Sequence, residues 1–492
     1  MHPVSSSKNL RFNTLLVKSC AMLLCCAIPG LIPGLHPAQT TTLVQPVLAT
    51  PSDPVSPLTR DDANTISTSM PDDRFAGQQW SFHSSGEYTG ASGLFKAREF
   101  LAAPTEVVVA IVDSGVMLEH EDLNFLPGYD FIDDTSVAND SDGRDHDPGD
   151  PGDWVNRTDI DNQAVSSGCS IAASKWHGTA ISGIIGATSH NATGIAGGAP
   201  AVAMLPVRVT GKCGGYVADL IDGIRWSAGL EIKGVADNPH PADVINLSVG
   251  FPGQCSNAMQ GAINDAVDAG AVVVTASTNS AADLDNTPYS PASCENVITV
   301  AATDRAGSIT SYSALGESVF MSAPGGTVTD GIVTTQNDGS ELPLARSAYG
   351  SHYGTSIAAA HVSAAVANLL SYEPDLSRQR VEELLAMSVK STAEDPRCEF
   401  DQCGYGRLDA YEAMKLLADN SQLLEAPADD EQFLEDVPVQ LAATEPATVQ
   451  SDAIVTSAFN DIGTGTLSQQ AIVILFLSWL AKQLTPGRNR HS

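Results

Sequence analysis

The sequence predicts an α/β fold, a mostly parallel, doubly wound sheet with helices on both faces, followed by a disordered acidic tail. Continuous apolar runs of strand length recur through the middle of the chain, as strands covered on both faces require. Helix-like stretches lie between them, and such alternation builds a parallel sheet. Hydrophobic residues make up 43% of the chain, with 41 Gly and 28 Pro, which suits a globular domain rich in loops.

Val107–Val112 is the first expected strand, six apolar residues in a row. Similar runs follow at Val202–Val209, Val244–Val249, Ala271–Ala276 and Val297–Ala302. The helices expected between and after them are Thr179–Ala187, Val217–Ala228, Cys255–Ala269 and Ser356–Tyr372. This core is expected to span residues 72–417, closing after the Gly404-Tyr405-Gly406 turn.

The ends read differently. Lys8, Arg11 and Lys18 precede an apolar run from Cys20 to Leu35, the pattern of an export signal over residues 1–38, with cleavage near Ala38 or Ala49. Residues 39–71 are rich in Thr, Pro, Ser and Asp and form a linker or short pro-segment. Residues 418–466 carry ten acidic side chains and no Lys or Arg up to Gly465, so they cannot bury enough apolar surface to order. Residues 467–492 hold an apolar stretch ending in Lys482, Arg488 and Arg490. That segment reads either as a membrane or sorting tail or as an amphipathic helix docked on the domain.

The 58 acidic against 25 basic residues leave a net charge of −33, which disfavours nucleic acid as a partner because phosphate binding needs clustered Lys and Arg. Six cysteines lie beyond the export segment: Cys169, Cys213, Cys255, Cys294, Cys398 and Cys403. An even number in an exported chain favours disulfides, with fifteen connectivities open. Sequential pairing is expected, the Cys398–Cys403 pair resting on proximity.

Three segments carry chemistry. Asp113 follows the first apolar run, His177 opens a helical stretch as His177-Gly178-Thr179, and Ser356 begins another as Gly354-Thr355-Ser356. A lone Asp at a strand end or Ser at a helix start is usually a cap. Together they supply the carboxylate, imidazole and hydroxyl of an acyl-transfer triad, in the chain order Asp, His, Ser. The loop from Asp140 to Asp153 holds six aspartates among Gly and Pro, a composition suited to a structural calcium ion. Asp142, Asp145, Asp150 and Asp153 are its expected ligands, a solvated acidic loop being the alternative.

The motifs Ala110-Ile111-Val112-Asp113-Ser114-Gly115, His177-Gly178-Thr179-Ala180 and Gly354-Thr355-Ser356-Ile357-Ala358 resemble those of the subtilisin-like serine proteases, the subtilases. The resemblance covers roughly residues 72 to 416. The Asp-rich loop and Pro206-Val207-Arg208-Val209 look like those of secreted proteases of Gram-negative bacteria. It implies a subtilisin-like fold in which Asn279 helps bind an oxyanion. It further implies that substrate backbone pairs as an added strand with Gly214, Gly215 and Tyr216 and with Ser248, Val249 and Gly250. The second edge, with Ala276, Ser277 and Thr278, would line the primary specificity pocket. Ala180, Phe251, Thr278, Ile357 and Ala360 depart from the family's usual residues, Thr278 standing where Gly is expected. The function so implied is a secreted, monomeric serine endopeptidase acting on proteins or peptides. The alternative is a weak or inactive surface binding protein on the same scaffold, with membrane contact only through the C-terminal segment.

Overall fold

The computed structural model describes residues 43–44, 70–101, 104–162, 168–392, 395–398 and 402–425. The expected export signal, nearly all of the linker, the acidic tail beyond residue 425 and the terminal apolar segment lie outside the described residues. No described helix is long and apolar enough to cross a membrane.

Seven strands form one sheet: β1 Val107–Asp113, β2 Tyr129–Asp130, β3 Val202–Arg208, β4 Val244–Leu247, β5 Val272–Ala276, β6 Ile298–Thr303 and β7 Val319–Pro324. Their spatial order is β7-β6-β5-β4-β1-β3-β2, with every pairing parallel. The helices that cover it are α1 His177–Gly186, α2 Val217–Ser227, α3 Asn257–Asp268 and α4 Thr355–Tyr372.

Successive strand residues point to opposite faces, and the two cores divide accordingly. Val109, Ile111, Val272 and Val274 pack with Ile181, Ile184 and Ile185 of α1 and with the α4 alanines on one face. Ala110, Val112 and Val273 pack with Leu220 and Ile224 of α2 and Met259 and Ile263 of α3 on the other. Continuous apolar runs are therefore a consequence of double burial. Helix α4 is buried at every position from Thr355 to Ser371, which is why its sequence shows small residues all round instead of one apolar stripe.

Every expected strand and helix is present, with ends shifted by a few residues. Several elements had no clear sequence signal. Strand β7 reads Val319-Phe320-Met321-Ser322-Ala323-Pro324, and its Ser and Pro look like loop, although Met321, Ser322 and Ala323 are buried. An antiparallel hairpin, Ile332–Gln336 with Ala348–His352, packs against α1. Helix α5, Arg378–Ser388, and helix α6, Ala410–Glu425, complete the domain. The latter runs eight residues past residue 417. Ala410, Ala413, Met414 and Leu417 form its buried stripe.

All three disulfides join the expected partners: Cys169–Cys213, Cys255–Cys294 and Cys398–Cys403, with Cα separations of 5.8, 5.2 and 5.1 Å. Each lies within the span a disulfide can bridge.

Candidate active site

Strand β1 is flanked by β3 and β4: the chain runs from β1 to the β2 edge, returns through β3, then crosses to β4 and continues to the opposite edge at β7. Asp113, the last residue of β1, thus sits at the topological switch point, where crossover loops diverge and leave a crevice. Its Oδ1 accepts the Ser114 amide at 2.7 Å and pairs with His177 Nδ1 at 2.7 Å. Both side chains are buried, 1% and 6% exposed, so little water competes for this contact.

His177 is the first residue of α1. Before it, Trp176 has a left-handed backbone (φ 55°) and donates its indole N–H to the Gly339 carbonyl at 2.8 Å, fixing how the helix enters. A Cβ on Gly178 would lie 2.2 Å from the Gly115 carbonyl oxygen and 3.3 Å from Asp113 Cβ. Only glycine lets α1 approach the Asp113 turn closely enough for the imidazole to reach the carboxylate. Ser114 closes the joint: its hydroxyl accepts the Gly178 amide at 3.2 Å and donates to Asp150 Oδ2 at 3.1 Å. Burial, then the neighbouring Asp153 charge, pushes the Asp150 carboxyl up.

Helix α4 packs against α1 and brings Ser356, its second residue, to the same end of the sheet. Amides in a first turn have no intrahelical acceptor, so the Ser356 N–H is available to an anion. A buried polar ladder holds the helix start to β4: Ser363 Oγ donates to Asn246 Oδ1 at 2.9 Å, and Asn246 Nδ2 to Ser248 Oγ at 2.9 Å. Ser248 Oγ in turn donates to the Ser356 carbonyl at 3.2 Å.

The Ser356 hydroxyl itself donates to the Ser248 carbonyl at 3.3 Å, and no hydrogen bond joins it to His177. His177 Nε2 is buried without a hydrogen-bond partner among the described residues. The Asp–His half of the expected triad is therefore assembled, while the serine rests in a rotamer turned to the backbone. Rotation about χ1 moves the hydroxyl among its staggered positions, and such contacts commonly tighten only when substrate binds.

Asn279 follows the end of β5. Its Oδ1 accepts both the Thr355 amide at 2.9 Å and the Thr355 hydroxyl at 3.0 Å. Two donors on one oxygen fix the amide's orientation and turn Nδ2 the other way. Ser248–Gly250 and Ala276–Thr278 extend the adjacent strands β4 and β5, paired up to Leu247 and Thr275, and so run on beside Ser356. Thr278 takes φ 92°, a left-handed conformation that costs a β-branched residue about 1–3 kcal/mol. Phe251 starts a two-residue strand paired with Tyr289–Ser290. Gly215–Tyr216 forms a free-standing edge on which the chain's own Leu43–Val44 pairs antiparallel, Leu43 opposite Tyr216 and Val44 opposite Gly215.

A second imidazole escaped the sequence reading. His352 lies four residues before Ser356, with its Nε2 3.1 Å from Gln336 Oε1. Burial, then the nearby His177, pushes its pKa down to about 4, so this imidazole stays neutral at pH 7. Ser114 and Asp150 were likewise not legible as supports of the histidine, since their contact depends on a loop 36 residues away.

Of the four aspartates expected to bind calcium, Asp142, Asp145 and Asp150 line one pocket together with Asp140 and Asp147, and Asp153 lies near Asp150. Among the described residues no three His, Cys, Asp or Glu side chains converge as a metal ion requires. Asp142 is exposed, whereas Asp150 and Asp153 are buried with amide donors of their own, from Gly152 and Lys175. The recurring aspartates instead make turns: Asp140, Asp145, Asp147 and Asp150 each accept the amide two residues on. Two arginines pair with carboxylates in and around the loop. Buried Arg208 pairs with Asp130 and Asp140 and donates to the Ala138 carbonyl, and Arg144 pairs with Asp219 and Asp222 at 2.6 and 2.7 Å. Hydrogen bonds to backbone amides thus engage four of the loop's carboxylates in the fold itself.

The chain is similar to known proteins. The chain is 38% identical over 384 residues to an extracellular protease of Xanthomonas campestris, covering 77% of the chain and 62% of that protein. It is 39% identical over 342 residues to an extracellular basic protease of Dichelobacter nodosus, covering 69% of the chain and 54% of that protein. The chain thus spans little more than half the length of these relatives. A solved protease structure from Pseudoalteromonas arctica superposes with a TM-score of 0.65 at 36% identity, over 71% of the chain and 99% of that structure. The sequence profile of the subtilase family matches residues 105–406, a stretch that holds Asp113, His177, Asn279 and Ser356 alike, and with the parallel sheet that gathers them the chain belongs to that family.

Proposed function

We propose that this protein is a secreted serine endopeptidase. The observation that carries the reading is the buried Asp113–His177 contact at 2.7 Å, with His177 Nε2 left without a hydrogen-bond partner among the described residues and its helix α1 packed against α4, which carries Ser356. As Ser356 Oγ attacks a peptide carbonyl carbon, His177 Nε2 takes the hydroxyl proton, and Asp113 holds the Nδ1–H tautomer and stabilises the imidazolium. The Asn279 amide and the Ser356 N–H receive the carbonyl oxygen as it becomes negative. His177 then passes the proton to the departing amine, leaving an acyl group on Ser356. Water, deprotonated by His177, releases the acid and restores the serine.

Protein or peptide substrate is proposed to enter as an added strand. The antiparallel pairing of Leu43–Val44 on Gly215–Tyr216 supports this, because it displays an edge that accepts extended backbone. Export is supported by the charged and apolar N-terminal pattern, by three disulfides, and by the extracellular naming of the relatives above.

A fluorophosphonate probe tests the reading. The Ser356 oxygen displaces fluoride from phosphorus, giving a covalent adduct that mass spectrometry places on Ser356. Labelling should vanish in Ser356→Ala and fall steeply in His177→Ala. A folded parent protein that takes no label would overturn the assignment.

A further inference from the structure

Resting on the endopeptidase reading, we propose that the Thr278 side chain caps the crevice beside the nucleophile and restricts the residue whose carbonyl is attacked to Gly, Ala or Ser. Strands β4 and β5 are hydrogen-bonded neighbours as far as Leu247 and Thr275. Their extensions, Ser248–Gly250 and Ala276–Thr278, then flank a gap that opens at Ser356, whose hydroxyl touches the Ser248 carbonyl at 3.3 Å. Asn279, next to Thr278, is tied to Thr355 and fixes where the carbonyl oxygen sits. A substrate side chain one bond from that carbonyl carbon must therefore enter between these two extensions.

The gap is already occupied. Gly250 contributes no side chain to its wall, yet a Cβ placed there would meet Thr278 Cγ2 at 3.0 Å, with the Ser290 carbonyl next at 3.7 Å. The Thr278 methyl thus spans from one extension to the other. It is also held there: Thr278 is 2% exposed, and its Oγ1 lies 2.9 Å from Ser280 Oγ, which sets the rotamer that turns the methyl to Gly250. The backbone at φ 92° favours glycine, so the residue that relieves strain would also open the crevice. A side chain retained against its backbone preference, and pointed into the space a substrate group needs, acts as a specificity determinant.

The test compares kcat/KM for matched peptides bearing Ala or Phe at that position, in the parent, Thr278→Gly and Thr278→Ser proteins. Serine keeps the oxygen that contacts Ser280 and deletes only the methyl. The parent should favour Ala. The Phe-to-Ala ratio should rise about 10- to 200-fold in Thr278→Gly, the span expected for filling or emptying a pocket by a small group, and by a smaller factor in Thr278→Ser. Should glycine fail to fold, the serine variant alone decides, a rise supporting the cap and an unchanged ratio refuting it. A parent that cleaves Phe as readily as Ala, or variants whose ratio stays within threefold, would overturn the cap while fluorophosphonate labelling of Ser356 still upheld the protease. A parent that neither labels nor cleaves would overturn both.

Discussion

Replacing Asn279 separates its structural task from its chemical one. In Asn279→Ala both contacts to Thr355, at 2.9 and 3.0 Å, are lost. At about 1 kcal/mol each, stability should drop by about 2 kcal/mol. Asn279→Asp keeps an oxygen where Oδ1 stood, so the Thr355 amide and hydroxyl retain their acceptor and stability should stay near the parent value. What the aspartate lacks is the N–H donor, and its second oxygen places negative charge where the tetrahedral intermediate develops its own. Loss of one such donor costs about a hundred- to a thousand-fold in kcat. Asn279→Asp should lose at least as much as Asn279→Ala, with KM nearly unchanged because the bond is made in the transition state. Hydrolysis of a chromogenic peptide gives kcat and KM, and urea denaturation gives stability. An Asn279→Asp protein within tenfold of parent kcat would refute the oxyanion role.

Two further outcomes concern the scaffold. His361 is fully buried between the Ile357 carbonyl at 2.8 Å and Ser81 Oγ at 2.9 Å, and burial pushes its pKa down to about 4. Its contribution is therefore complete above the unfolded value near 6.5, is lost as pH falls toward 4, and is flat below; the total is about 3 kcal/mol. His361→Gln should show a shallower loss of unfolding free energy across that window, and parallel pH profiles would contradict this account. Arg208→Met strands the buried Asp130 carboxyl, which burial already pushes up to about 7 against the pull of Arg208. Chemical denaturation should show about 3–5 kcal/mol lost, partly recovered when Asp130→Asn is added.

Much of the site was written in local pattern. Asp113 stood one step beyond an apolar run, and His177 and Ser356 opened stretches of small residues; all three lie at chain positions where strands end and helices begin. Such positions are visible because burial on two faces and helical packing impose short-range periodicity. The aspartates from Asp140 to Asp153 show the opposite case. Their spacing satisfies turns as well as it would a cation, and the pairing of Arg208 with Asp140, 68 residues away, is a contact no local pattern shows. Strand β7 stayed hidden because Ser322 and Pro324 carry no strand signal until neighbours bury them.

By itself the sequence determined the chemical groups available, the alternation that builds a parallel sheet, and an even set of cysteines able to pair. Each is a relation among residues near in the chain, or a property of residue type. The tertiary structure decided what those groups touch: Ser114 joining Gly178 to Asp150, the Ser356 hydroxyl resting on Ser248, and the Thr278 methyl lying over Gly250. These contacts join segments up to 108 residues apart, and only packing of the folded sheet and helices sets distances across such separations.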